Sequence, residues 1–277
     1  MENIIINVNS IFRDTDKYPS ANHFKISLPE TLKNISYIKL TSLEIVDVNY
    51  VFTEIKKNNK FKIIVGTDEY DVILEDGNYT SSTLITTLQS RLDEINNSLS
   101  FNISVDINIY AAKLFFTSDT TDTFTIDFTR DGYSEYPPIK YFLGFENDSY
   151  TGTSVNANYT INLNGVNYAF LCVNDIENVI DNRVSNAFTK IIYETGRFNS
   201  LFSKGKEFNS KDKVFRSPIN LEYLEIKLVD YLGNLLELSN FNFSFTLEVG
   251  YIYDINLYKK INNGGNPNGD NRLLFKY

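Results

Sequence analysis

Strict alternation of apolar and polar residues constrains this chain more than any other feature. It is cleanest in Phe241-Asn242-Phe243-Ser244-Phe245-Thr246-Leu247-Glu248-Val249. Successive side chains of a strand point to opposite faces, so this spacing lines one face with apolar groups and the other with polar ones. Such a strand needs a packed layer over its apolar face and tolerates water on the other, as in an antiparallel sandwich or barrel. Residues 101–109 and 224–228 repeat the pattern. Runs at 3–8, 23–28, 36–51, 61–65, 70–74, 113–117, 123–128, 159–163, 168–173 and 187–194 read as further strands between turn-rich segments. The runs at 23–28 and 36–51 are expected to be joined by a turn at Leu28-Pro29. Aromatics make up 14% of the chain, all of them Phe or Tyr, which favour pleated surfaces and support an all-β reading.

One helix interrupts this pattern. Thr80, Ser81 and Ser82 offer capping oxygens, and Leu84, Leu88, Leu92 and Ile95 follow at helical spacing, which predicts a helix over about 81–95. A shorter helical turn is expected at Pro138–Leu143, before Gly144. There is no internal repeat and no composition shift that marks a linker. The expectation is one domain over 1–261, followed by an arm over 262–277 whose Gly/Asn/Pro-rich stretch reads as a flexible spacer. The arm ends in Leu273, Leu274, Phe275, Lys276 and Tyr277, an apolar tip suited to docking, with Leu273, Leu274, Phe275 and Tyr277 as its candidate contacts.

Charge and cysteine content narrow the function. The formal net charge is -9, which repels phosphate backbones, so no nucleic-acid partner is expected. The lone cysteine, Cys172, precludes an intramolecular disulfide and a Cys-based zinc site and fits a reducing compartment. No apolar run reaches the roughly 20 residues that span a bilayer. Met1-Glu2-Asn3 lacks the basic start of a secretory signal.

Chemistry has few places to reside. His23 is the only histidine, so any histidine-based catalytic device would have to use it. It opens a predicted strand and lies far in sequence from Cys172, and it reads as a strand-edge residue without a catalytic role. The closer carboxylate groups are Asp14/Asp16, Asp68/Glu69/Asp71, Glu75/Asp76 and Asp119/Asp122. Most of them fall in predicted turns, where Asp serves local hydrogen bonding. No phosphate-binding glycine loop and no calcium loop occurs. No catalytic, cofactor-binding or metal-binding residues are expected, and the chain does not read as an enzyme. One segment does stand out, a basic island over 196–217 in an acidic chain. Arg197, Lys204, Lys206, Lys211, Lys213 and Arg216 are its candidate partner contacts. Phe198, Phe202, Phe208 and Phe215 lie among them, and four such rings call for something to pack against.

The order of these elements resembles a known family. The matching stretches are IIINVNSIFRD (4–14), HFKISLPETLKNISYIKLTSLEIVDVNYVF (23–52), LEDGNYTSSTLITTLQSRLDEI (74–95), YFLGF (141–145), NYAFLCVNDI (167–176), AFTKIIYE (187–194), FRSPINLEYLEIKLVDYLGNLLEL (215–238) and FNFSFTLEV (241–249). In that order they are similar to the single jelly-roll penton and minor capsid proteins of nucleocytoplasmic large DNA viruses, the mimivirus-like giant viruses among them. The resemblance implies a single jelly-roll antiparallel β-sandwich with one inserted helix and extra hairpins. It implies a non-enzymatic capsid protein made in the host cytoplasm and carried in the virion. The specific role implied is a penton whose homopentamers close the five-fold vertices beside neighbouring major and minor capsid proteins. Another minor or cement capsid protein, or a jelly-roll carbohydrate- or receptor-binding module, are the alternative roles. The family supplies no catalytic residues to carry over.

Overall fold

The computed structural model describes residues 2–193, 199–204 and 212–252. These group into two compact units, one formed by Met1–Asn49 with Asn167–Tyr277 and the other by Tyr50–Val166. The sequence offered no linker to divide 1–261, because the second unit is an insertion within the first. What separates the units is that each has its own apolar core.

The first unit carries a seven-stranded antiparallel sheet. Its strands are β1 (Glu2–Asn9), β2 (His23–Val46), and, after the insertion, β10 (Tyr168–Val173), β11 (Thr189–Ile192), β12 (Ser200–Lys204), β13 (Lys213–Val229) and β14 (Ser244–Tyr251). The order is β1-β14-β2-β13-β10-β11, with β12 also paired to β2. The first and last strands therefore lie side by side, with Ile4, Ile6 and Val8 opposite Val249, Leu247 and Phe245. Val8, Phe245, Leu247 and Val249 belong to the main core with Phe24, Ile35, Ile38, Leu40, Leu224 and Ile226, and Ile6 packs against it. A smaller cluster of Phe170, Cys172, Val184, Ala187 and Val229 packs separately.

β2 corrects one expectation. Leu28-Pro29 does not turn the chain; a single strand of 24 residues runs through it. Proline has no N–H to give to a ladder, but its fixed φ suits extended backbone. The structure uses both properties. Tyr223 of β13 pairs with Ser27 and Leu221 with Leu32, so Pro29 falls in a stretch where the register with β13 shifts. Pro218 occupies the corresponding irregularity on β13, between the Val214–Tyr37 and Ile219–Ile35 pairs.

The second unit holds β3 (Lys60–Val65), β4 (Asp68–Ile73), α1 (Ser81–Asn96), β5 (Ile103–Asn108), β6 (Lys113–Ser118), β7 (Phe124–Asp127), α2 (Ile139–Leu143), β8 (Ser149–Gly152) and β9 (Ser154–Asn156). One sheet runs β4-β3-β7-β8 and the other β5-β6-β9. Helix α1 starts where its capping residues place it. The Thr80 hydroxyl accepts from the Thr83 amide at 3.2 Å, and the Thr83 hydroxyl accepts from the Thr80 amide at 2.9 Å. This reciprocal box satisfies two amides that the first turn would leave orphaned. Leu84, Leu88, Leu92 and Ile95 are its buried stripe. Burying each stabilises the unit by about 1.5–3 kcal/mol. They pack into one core with Phe61, Ile63, Phe116 and Phe124 from both sheets. Helix α2 stops at Gly144, whose φ is +84°. A Cβ there would lie 2.2 Å from the carbonyl oxygen of Tyr159, so only glycine fits.

The predicted strand at 159–163 does not form. Tyr159, Ile161 and Asn162 instead donate one backbone bond each to Gly144, Ala112 and Phe142, so the segment ties the end of α2 to the turn before β6 without joining a ladder. β8, β9 and β12 were not expected from the sequence. Each is short, and the first two consist mostly of Ser, Thr, Gly and Asn without an apolar alternation.

Candidate functional site

The structure brings two basic-island residues to one stretch of β2. Lys204 ends β12 opposite Ser42, and Lys213 opens β13 opposite Ile38. The ammonium of Lys213 donates to the Glu177 carbonyl. Beside it, Lys39 lies 3.5 Å from Asp212. Arg216 is exposed on β13. Arg197, Lys206 and Lys211 lie outside the described residues, as do Leu273, Leu274, Phe275 and Tyr277. Of the island's rings, Phe215 packs against the main core while Phe202 is 62% exposed. Phe198 and Phe208 fall outside the described residues.

Phe202 belongs to a sheet face that turns away from the core. Cross-strand partners share a face, so Phe202, Glu44 and Ser244 form one row, and Val214, Tyr37, Gly250 and Asn3 another. Hydrogen bonds knit this face together. Glu248 accepts from the Tyr37 hydroxyl at 2.6 Å and from the Asn3 amide at 3.0 Å. Ser42 donates to Thr246, and Thr246 to Asn7. Burial, followed by the Glu248 carboxylate, pushes the Tyr37 phenol up to about 12. The Tyr37 ring lies over Gly250, where a Cβ would sit 2.0 Å from the ring. The face is therefore stiff, mixed in polarity and dotted with exposed apolar groups, including Ile5 and Val214. Its exposed groups are available for contacts with a partner surface.

The N-terminal signature is held as firmly. Ser10 is buried; its hydroxyl accepts from the Phe243 amide at 2.9 Å and donates to the Asn242 side chain at 3.1 Å. Arg13 donates to the Tyr18, Ser10 and Pro19 carbonyls and to Asn242 Oδ1, all within 2.9 Å. These bonds fasten the end of β1 to the start of β14. Between Ser10 and Arg13 they leave Phe12 protruding, 84% exposed. The sequence showed the signature but not its function, because Asn242 is more than two hundred residues away.

The titratable groups singled out by sequence are dispersed. His23 Nε2 lies 2.9 Å from Glu225, and Lys227 lies 3.0 Å from the same oxygen. Lys227, with a smaller share from His23, holds the Glu225 carboxyl below the usual range. Burial raises the Cys172 thiol to about 11, which suits a packing residue and not a nucleophile. The acidic turns bond locally. Asp119 accepts from the Asn102 amide and side chain, and Asp76 from the Glu54 amide. Among the described residues, no three His, Cys, Asp or Glu side chains are grouped to hold a metal ion. Nor is any described helix long and apolar enough to cross a membrane.

Antiparallel sheets with only two α-helices among the described residues make this an all-β jelly-roll protein. It is similar to the crystal structure of the mavirus penton protein at a TM-score of 0.51 and 11% identity, covering 91% of this chain and 100% of that one. No protein-family model matches the sequence, and no curated protein matches it.

Proposed function

We propose that this chain is a structural capsid protein of a virus, specifically a penton that forms homopentamers at the five-fold vertices of a large icosahedral DNA virus. One observation carries the reading: a penton-like jelly roll extends over 91% of the chain and accounts for the whole of the solved penton. The dispersed titratable groups fit a non-enzymatic role. In this reading the chain is made in the host cytoplasm and resides in the virion. Its partners are further copies of itself and the neighbouring major and minor capsid proteins. The basic island forms one lateral contact and the arm over 262–277 another. A ring of identical subunits uses two different patches that meet on rotation, so a closed assembly needs such separate surfaces.

Localising the chain in intact particles tests the proposal directly. Density for five copies at each vertex supports it; density beneath the capsomers elsewhere replaces it with a minor or cement role. In solution the expected mass is that of a pentamer, and a strict monomer at all concentrations counts against the proposal. Neutralising Lys204, Lys206, Lys211 and Lys213 together should leave the fold intact and weaken assembly. Unchanged assembly would remove the island from the contact.

A further inference from the structure

Sheets in soluble proteins rarely leave a long, regular edge open. Edges are shortened, bulged, charged with Lys or broken with Pro, because unpaired N–H and C=O groups recruit other strands. At one end of the first unit's sheet, β11 follows this rule: it has four residues and contains Lys190. β1, at the other end, does not. It has eight residues, ENIIINVN, with no Pro and no Lys, and pairs with β14 without a register shift. Among the described residues its second edge pairs with no strand.

The core beside that edge is incompletely covered. Ile4 and Ile6 point to the core side, yet both are only half-buried, whereas their partners Val249 and Leu247 are buried. A groove of about 300 Å³ runs from Ile4 past Val249, Tyr251 and Ile252 to residues 30–35 of β2, so its lining is apolar at the Ile4 end and mixed at the far end, where Glu30 and Lys33 contribute. An added strand would supply both missing components, the hydrogen bonds along the edge and alternate apolar side chains over Ile4 and Ile6.

The C-terminal segment has the matching pattern. Leu273, Phe275 and Tyr277 recur with a period of two, and Lys276 falls on the opposite side. With Phe275 toward the groove, Lys276 lies on the sheet face that carries Glu248. Residues 252–272 separate this segment from the end of β14, which is opposite Glu2. A return to the adjacent edge in the same chain needs only about 2–5 residues. On flexible-linker statistics, a connection of this many residues would span about 25 Å, the scale of the distance to a neighbouring domain.

We propose that the free edge of β1 receives Leu273–Tyr277 of a second copy as an added strand, with Phe275 covering the groove beside Ile4. This rests on the reading of the chain as a self-assembling shell protein and identifies one of its contacts.

The test uses the full-length chain, its Phe275→Asp variant, and a fluorescent synthetic peptide of residues 268–277. Phe275→Asp should weaken self-association in sedimentation by at least about tenfold, since one buried aromatic side chain accounts for that much. The peptide should bind saturably to the Phe275→Asp chain, whose own arms are disabled. Ile5→Lys on the open edge should weaken peptide binding without unfolding the chain. Backbone methylation supplies the readout specific to strand pairing: methylating the amides of 273, 275 and 277, or those of 274 and 276, should abolish binding for one set only. Equal binding by both methylated peptides overturns the proposal, as does no binding at all. Full-strength rings formed by Phe275→Asp overturn it while leaving the shell reading standing. A strictly monomeric wild-type chain whose peptide site is already occupied places the segment on its own edge, and the second-copy assignment fails.

Discussion

Replacing Arg13 tests whether the N-terminal signature is a structural lock. The guanidinium makes four hydrogen bonds between 2.8 and 2.9 Å, three to backbone carbonyls and one to Asn242. A bond to a charged group contributes about 1.5–3 kcal/mol, but water replaces part of each at a half-buried site and the four act as a unit. Arg13→Ala should therefore cost about 2–3 kcal/mol, well below the sum of four separate bonds. Arg13→Lys should recover less than half, because an ammonium cannot span carbonyls that a planar fork reaches in several directions. Asn242→Ala in both backgrounds should give a coupling of about 0.5–1.5 kcal/mol. Urea unfolding monitored by circular dichroism measures these values. Hydrogen exchange should show faster opening of amides at the end of β1 and the start of β14. A cost under about 0.5 kcal/mol for Arg13→Ala, or a lysine variant as stable as wild type, would refute the lock.

Three further outcomes follow from local geometry. Gly144→Ala should destabilise the chain by about 2–4 kcal/mol, since it adds left-handed strain to a backbone clash, whereas Gly66→Ala, at φ +62° with open space around it, should cost only about 1–2 kcal/mol. Equal costs in urea titrations would show that the contact with Tyr159 does not matter. Glu225 has a folded pKa below its ordinary 4.5, so its stabilising contribution is complete above that value and is lost as pH falls through the lower folded value. The difference in Tm between wild type and Glu225→Gln should accordingly shrink from pH 6 to pH 3; a constant difference would contradict the pairing. Cys172 should resist an aromatic disulfide reagent at pH 8 in the folded chain and react once in denaturant, because its thiol is buried and titrates near 11. Rapid labelling of the native protein would refute that.

The sequence by itself determined the local elements. Alternation at 224–228 and within 241–249 placed strands, because a period of two is a property of each segment alone. Capping residues at 80–82 and leucines at helical spacing placed α1 within a residue of its ends, since the helix ladder is also local. Tertiary structure decided what the segments do together. Leu28-Pro29 looked like a turn, and only pairing with β13 shows an extended chain through a register shift. A second core within 50–166 was invisible because the alternation of its strands is the same as that of the first unit's strands, and a local pattern does not say which segments share a core. The candidate surfaces divide along the same line. A basic island and an apolar C-terminal tip are compositional and could be read directly. The edge of β1, unpaired among the described residues, could not, because an edge is defined by the absence of a neighbour, and strand neighbours are set by contacts between residues far apart in the chain.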